Sequence, residues 1–181
     1  MLSTATRVAI SALSLMLMTP ATGATAQPGT AAEEARNETA IRRHHDAINR
    51  GDIPAAASFY ADTVRNNGNL VDRARLFAIM QDNSRTFPDW TMRIDRLIAR
   101  GDQVVVLMTV TGTHRGVSQR PVNGGVYLGV APTGKSFSVL HTHWFTLKDG
   151  LIVEHRATRD DLGMSRQLGL LPPSPPRPPS E

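Results

Sequence analysis

A chain of 181 residues has room for one domain and little beyond it. It contains no cysteine, which excludes disulfides, a thiolate nucleophile and thiolate-bound zinc. The formal net charge of +4 is spread along the chain rather than gathered into a basic stripe, and aromatic residues are few, so no nucleic-acid partner is expected.

Residues 1–26 read as an export leader. Arg7 supplies a basic start, Val8 to Met18 an apolar run, and Ala24-Thr25-Ala26 the small residues a signal peptidase reads before Gln27. The apolar run is shorter than the roughly 20 residues of a spanning helix. Cleavage is therefore favoured over an anchor, and a periplasmic or secreted protein with no membrane contact after cleavage is expected. Residues 27–170 form the domain. Residues 171–181, with proline pairs at 172–173, 175–176 and 178–179, cannot continue a helix or donate to a sheet and are expected to be a disordered tail.

Within the domain, Ala31 to Arg50 is rich in helix formers, with Ile41, His44 or His45, and Ile48 on one face. Gly51 suits the residue after the last turn, and Asp52 can cap a short helix over Ala55 to Tyr60, with Pro54 in its first turn. Val64 to Leu70 is ambiguous, a short strand interrupted at Asn66-Asn67-Gly68. Asp72 to Thr86 reads as a third helix burying Leu76, Phe77, Ile79 and Met80, and stopped by Phe87-Pro88-Asp89-Trp90. Strands follow over Thr91–Ala99, Gln103–Thr113, Ser136–Leu147 and Leu151–Arg159, with a loop-rich stretch from Arg115 to Thr133. Asp161 to Leu168 closes the domain as a short helix. Helices grouped before strands point to an α+β domain rather than βαβ units. The architecture expected is a single cone-shaped domain, a curved antiparallel sheet packed on N-terminal helices, with a small-molecule pocket in its mouth.

Four passages, in order and approximate spacing, resemble the SnoaL-like polyketide cyclase or ester cyclase family of the nuclear transport factor 2-like superfamily. They are Asn49-Arg50-Gly51-Asp52, Phe87-Pro88-Asp89-Trp90, and Thr111 to Gly116 followed by Gly129 to Lys135. The last is Asp149 to His155 leading to Asp160, Leu162-Gly163 and Gln167-Leu168-Gly169. The resemblance implies an acidic residue near the end of the last strand, acting as acid/base without a cofactor, and Asp160 fits that position. It also implies a homodimer. The chain departs from the family where Arg156 replaces a usual tryptophan, Ala157 a frequent acid, and His44-His45 the usual aromatics of the first helix.

A general base needs a pKa near working pH and reach to its proton. Asp160 meets the first condition in an apolar setting; otherwise it, or the equally placed Asp161, caps the last helix. His141 and His143 lie two apart on one strand and share a face. A loop at Lys148-Asp149-Gly150 sets Leu147 opposite Leu151 and His143 opposite His155. Val139, Phe145 and Val153 then share the histidine face, and Leu140, Thr142, Trp144 and Ile152 the other. A loop one residue shorter splits the cluster. The three imidazoles stand open to three readings: polar pocket lining, ordinary half-buried sheet residues, or a three-imidazole metal site. No carboxylate fourth ligand is evident, so neither metal nor cofactor is expected.

One of His44 and His45 points into the pocket and the other lies at its rim, while His114, Arg156 and Arg159 are expected at the surface. No nucleophile elbow, phosphate loop or zinc-protease motif occurs. The candidates for catalysis are thus Asp160, His143 and His155, and those for substrate contact are His141, His44, Tyr60, Trp90 and Phe145. The function expected is acid/base chemistry on a small hydrophobic carbonyl compound. A non-catalytic binding domain of the same fold, or an isomerase or hydrolase, stands beside it.

Overall fold

A computed structural model describes residues 30–121 and 126–171. The leader and almost all of the proline-rich tail lie outside those residues. In chain order the elements are α1 (Ala31–Asn49), α2 (Ile53–Ser58), β1 (Tyr60–Asn66), β2 (Asn69–Asp72), α3 (Arg73–Thr86), β3 (Thr91–Arg100), β4 (Gln103–Thr113), β5 (Ser136–Lys148), β6 (Leu151–Arg159) and α4 (Asp161–Gln167).

The helices begin where side-chain acceptors satisfy their free N–H groups. Thr30 caps α1, Asp52 caps α2, Asp72 caps α3 and Asp160 caps α4. Helix α1 is locked to the sheet at both ends. Asn37 Nδ2 donates to the Gly101 carbonyl at 3.0 Å, and the Gly101 N–H donates to Glu34 at 2.9 Å. At the other end, Asn49 accepts from Met92 N–H at 2.8 Å and donates to the Met92 carbonyl at 3.0 Å. Helix α2 stops at Ser58, two residues earlier than expected, and Tyr60 instead opens β1.

The six strands form one curved sheet in the order β2-β1-β6-β5-β4-β3. Strands β3 to β6 are antiparallel neighbours, whereas β1 runs parallel to β6, which makes the sheet mixed. The stretch left ambiguous by its composition is a hairpin. Asn67 and Gly68 take φ of 46° and 86°, the left-handed pair of a tight two-residue turn. Asn67 also fastens this turn to β6, its N–H donating to the His155 carbonyl and its Oδ1 accepting from Ala157 N–H, both at 2.8 Å. The hairpin thereby places Asn66 beside His155.

Strand β5 alternates strictly. Phe137, Val139, His141, His143, Phe145 and Leu147 face inward, and Leu140 and Trp144 are exposed on the outer face. The β5–β6 loop is Asp149-Gly150, both at positive φ, so Leu147 pairs with Ile152 rather than Leu151. Such a loop turns His155 outward unless the strand compensates. It does: the register shifts between Thr146 and Leu147, which leaves Val153 unpaired as a bulge and sets His155 opposite Phe145. Ile152 is consequently buried and Val153 only partly so, the reverse of the alternation expected.

Candidate functional site

Helices α1 and α3 and the inner face of the sheet enclose a cavity of about 710 Å³. Its apolar wall includes Ile48, Leu76, Met80, Trp90 and Met92. Its polar wall is made of imidazoles, amides and two guanidiniums: His44, His141, His143, His155, Asn66, Asn83, Arg75 and Arg159. Among the described residues no aspartate or glutamate lines it.

His155 is held on two sides. Its Nδ1 lies 3.1 Å from Asn66 Oδ1, and its Nε2 lies 3.3 Å from His143 Nδ1. With the Asn66 oxygen as acceptor, His155 Nδ1 carries the proton, so its Nε2 accepts from His143 Nδ1–H. His143 Nε2 is then left as the basic nitrogen of the pair, with no protein partner. Phe145 stacks on the His155 ring at a centroid distance of 4.8 Å and 5° between planes. His141 follows His143 with centroids 5.7 Å apart, and Trp90 stands edge-on to it at 6.2 Å. His44 packs edge-on to Tyr60 at 5.2 Å.

The family model for SnoaL-like polyketide cyclases matches residues 38–168, which run from within α1 to the end of α4. The chain belongs to that family. Among solved structures it is similar to AclR from Streptomyces galilaeus, with a TM-score of 0.65 and 26% identity over 78% of this chain and 86% of AclR. It is likewise similar to TsrD from Streptomyces laurentii, with a TM-score of 0.64 and 27% identity over 76% of this chain and 97% of TsrD. A SnoaL-like polyketide cyclase from Agrobacterium tumefaciens shares the fold at 15% identity, with a TM-score of 0.61 over 74% of this chain and 98% of that one. No protein of curated function matches the chain.

Asp160, the residue that the family resemblance marked as acid/base, lies away from this cavity. Asp160 is exposed, absent from the cavity wall, and its carboxylate accepts from Gly163 N–H at 2.7 Å as the cap of α4. A side chain at 163 would collide with that carboxylate, so the Asp160 and Gly163 of the closing motif act together as a cap. Of the other candidates, the structure brings His143, His155, His141, His44, Tyr60 and Trp90 together around the cavity. Phe145 is fully buried behind His155 and does not line it. His45 is not at a rim: it lies behind His44, and its Nδ1 donates to the Ile41 carbonyl at 2.8 Å. His114 is buried rather than exposed, near the Phe87 ring and within 3.3 Å of Thr133 N–H. Arg159, expected at the surface, is in the cavity wall and paired with Asp161 at 3.3 Å.

Burial holds all these imidazoles neutral. His155 is lowered to about 3 by burial, with His45 and Arg159 adding to it. His141 is lowered to about 4 by burial and then by Arg159. Burial also drives His143 and His44 well below the usual imidazole range, with neighbouring histidines pushing the same way. Burial raises the Tyr60 phenol, which stays protonated. Among the described residues no three His, Asp or Glu side chains are grouped as a metal ion requires.

Two residues that help to shape the site carried no separate signal in the sequence. Asn66 reaches His155 only because the β1–β2 hairpin joins β6 in parallel. Asp82, on α3, is a fully buried carboxylate. It accepts from Ser118 Oγ at 2.8 Å and from the N–H groups of Gln119 and Arg120 at 3.1 and 3.2 Å. Burial pushes the Asp82 carboxyl up, but the Ser118 hydroxyl, the two N–H groups and Arg85 outweigh it and hold the group below its ordinary value. This latch fixes the loop that brings Pro121 to the cavity wall.

Proposed function

We propose that this SnoaL-like protein performs cofactor-independent acid/base chemistry on a small hydrophobic carbonyl compound, with the His143–His155 pair moving the proton. The observation that carries the reading is the chain Asn66–His155–His143 at the wall of a cavity that, among the described residues, no carboxylate lines. His143 Nε2 takes a proton from the carbon beside the carbonyl. His155 Nε2 accepts the hydrogen bond from His143 Nδ1–H and spreads the resulting positive charge over both rings. Asn66 fixes the tautomer that makes this direction the available one. Burial makes these imidazoles weak bases, so the carbon they deprotonate has to be acidified by the carbonyl together with a second group, another carbonyl or an aryl ring. An isomerase or hydrolase working by the same pair differs in substrate rather than in site.

The carboxylate-free wall favours a second reading, in which the cavity holds such a compound without reacting with it. Deuterium exchange at C1 of β-tetralone in D2O separates the two. The catalytic reading expects exchange well above the buffer rate, reduced about 100-fold or more in His143→Phe and His155→Phe. Asp160→Asn is expected to leave it unchanged. A protein that binds β-tetralone and leaves its exchange at the buffer rate is a binder.

Export, with residues 1–26 removed, belongs to the same proposal and is tested by the N-terminal sequence of protein recovered from outside the cytoplasm. So does homodimer formation through the outer sheet face, where Leu140 and Trp144 are exposed. Sedimentation of wild type against Trp144→Glu tests it.

A further inference from the structure

The charges around the cavity are one-sided. Arg75 and Arg159 are in its wall, and among the described residues no acidic side chain joins them. Arg159 is the more informative. It leaves the end of β6 directly opposite His141 on β5, and only 20% of its side chain is exposed. Its one carboxylate partner is Asp161 on α4, reached by Nε and one terminal nitrogen at 3.3 to 3.4 Å, longer than a well-formed charged pair. The imidazoles beside it offer no compensating negative charge. His141 and His143 are buried and neutral, and both nitrogens of His141 and Nε2 of His143 have no protein partner.

A half-buried guanidinium with one loose partner, next to His141, whose neutral ring has one N–H and no protein partner for it among the described residues, is complementary to an anion. Leu76, Met80, Trp90 and Met92 give the wall an apolar part. We infer that the ligand is an amphipathic anion: a hydrophobic carbonyl compound that carries a carboxylate or an ionised enol, with the negative group at Arg159 beside His141 and the apolar body against Leu76, Met80, Trp90 and Met92.

This inference rests on the small-molecule reading of the cavity given above and narrows it. Arg159 acts as the charge selector. An anion there replaces no existing strong ion pair, whereas a neutral ester leaves the guanidinium and the imidazoles as they stand. A cationic ligand meets two like charges and no partner.

The matched pair 4-benzoylbenzoate and methyl 4-benzoylbenzoate tests it, because the two share an apolar body and a ketone and differ in charge. Titration calorimetry at pH 7.5 and low salt should find the acid bound at least tenfold more tightly than the ester. Arg159→Gln should remove that preference while ester binding persists, and Arg159→Lys should keep part of it. Circular dichroism of each variant separates a lost preference from a lost fold, and a poorly folded Arg159→Gln leaves the salt dependence of wild-type binding as the test. The acid's advantage should then fall several-fold between 20 and 300 mM salt. Ester binding equal to or tighter than acid binding overturns the anion inference and leaves the hydrophobic reading of the cavity intact. A preference that survives in folded Arg159→Gln also overturns it. Failure of both compounds to bind removes the cavity reading itself, and this inference with it.

Discussion

Two groups of buried polar side chains, one in the cavity wall and one around Asp82 outside it, are built on opposite terms. At Asp82 both carboxylate oxygens have partners: a hydroxyl, two backbone N–H groups and Arg85. At the imidazole wall, among the described residues, His44 and His141 have no protein partner on either nitrogen, and His143 has none on Nε2. A satisfied buried charge stabilises the fold only while its partners are present, and removing it exposes their need. An unmatched buried polar group costs stability from the outset and persists where something other than folding requires it. The first group is a structural latch. The second is where function is to be sought.

Acid should widen the difference most. Each wall histidine binds its proton more weakly in the folded chain than in the unfolded one. Its neutral form therefore contributes fully above the unfolded pKa of about 6.5, and that contribution is lost as pH falls toward about 4 at His141 and about 3 at His155. The slope is about 1.4 kcal/mol per pH unit for each histidine. Unfolding free energies from urea titrations between pH 7 and pH 4.5 should therefore fall by several kcal/mol, and a flat profile would break the comparison. Asp82→Ala comes next, destabilising by about 3 kcal/mol because the Ser118, Gln119 and Arg120 donors lose their acceptor. Equilibrium unfolding of that variant checks it.

At the imidazole wall the sign should reverse. His141→Leu removes two unmatched nitrogens, so the variant should be more stable than wild type by about 1 kcal/mol, while ligand affinity drops. A destabilised His141→Leu would place this residue with Asp82 rather than against it. Smallest is Asp160→Ala, which loses the α4 cap at a cost of about 1 kcal/mol. Proton exchange on β-tetralone should be untouched, and a large loss would return Asp160 to the chemistry.

Much of the scaffold was legible because periodicity and capping are local. The β4 and α3 boundaries follow from apolar alternation and from Asp72 and Pro88. The β1–β2 hairpin was missed although Asn67-Gly68 is a strong turn pair. Its flanking strands are short and polar, and their pairing with β6 lies almost ninety residues away in the chain. The histidine face was recovered through two departures from the expected register. The loop was one residue shorter, and the Val153 bulge cancelled the shift. Nothing local announces a bulge inside Ile152-Val153-Glu154. Asp160 misled for a different reason: one aspartate before a helix serves equally as cap or base, and only its direction decides between them.

The wall histidines His44, His141, His143 and His155 stand neutral, and the first three keep nitrogens without a protein partner among the described residues. Side-chain nitrogen NMR across a pH titration measures this residue by residue. The account predicts that His141 stays neutral until about pH 4 and His155 until about pH 3, with the proton of His155 on Nδ1. Midpoints near 6.5 for both would mean that the imidazoles are solvated, and would contradict it.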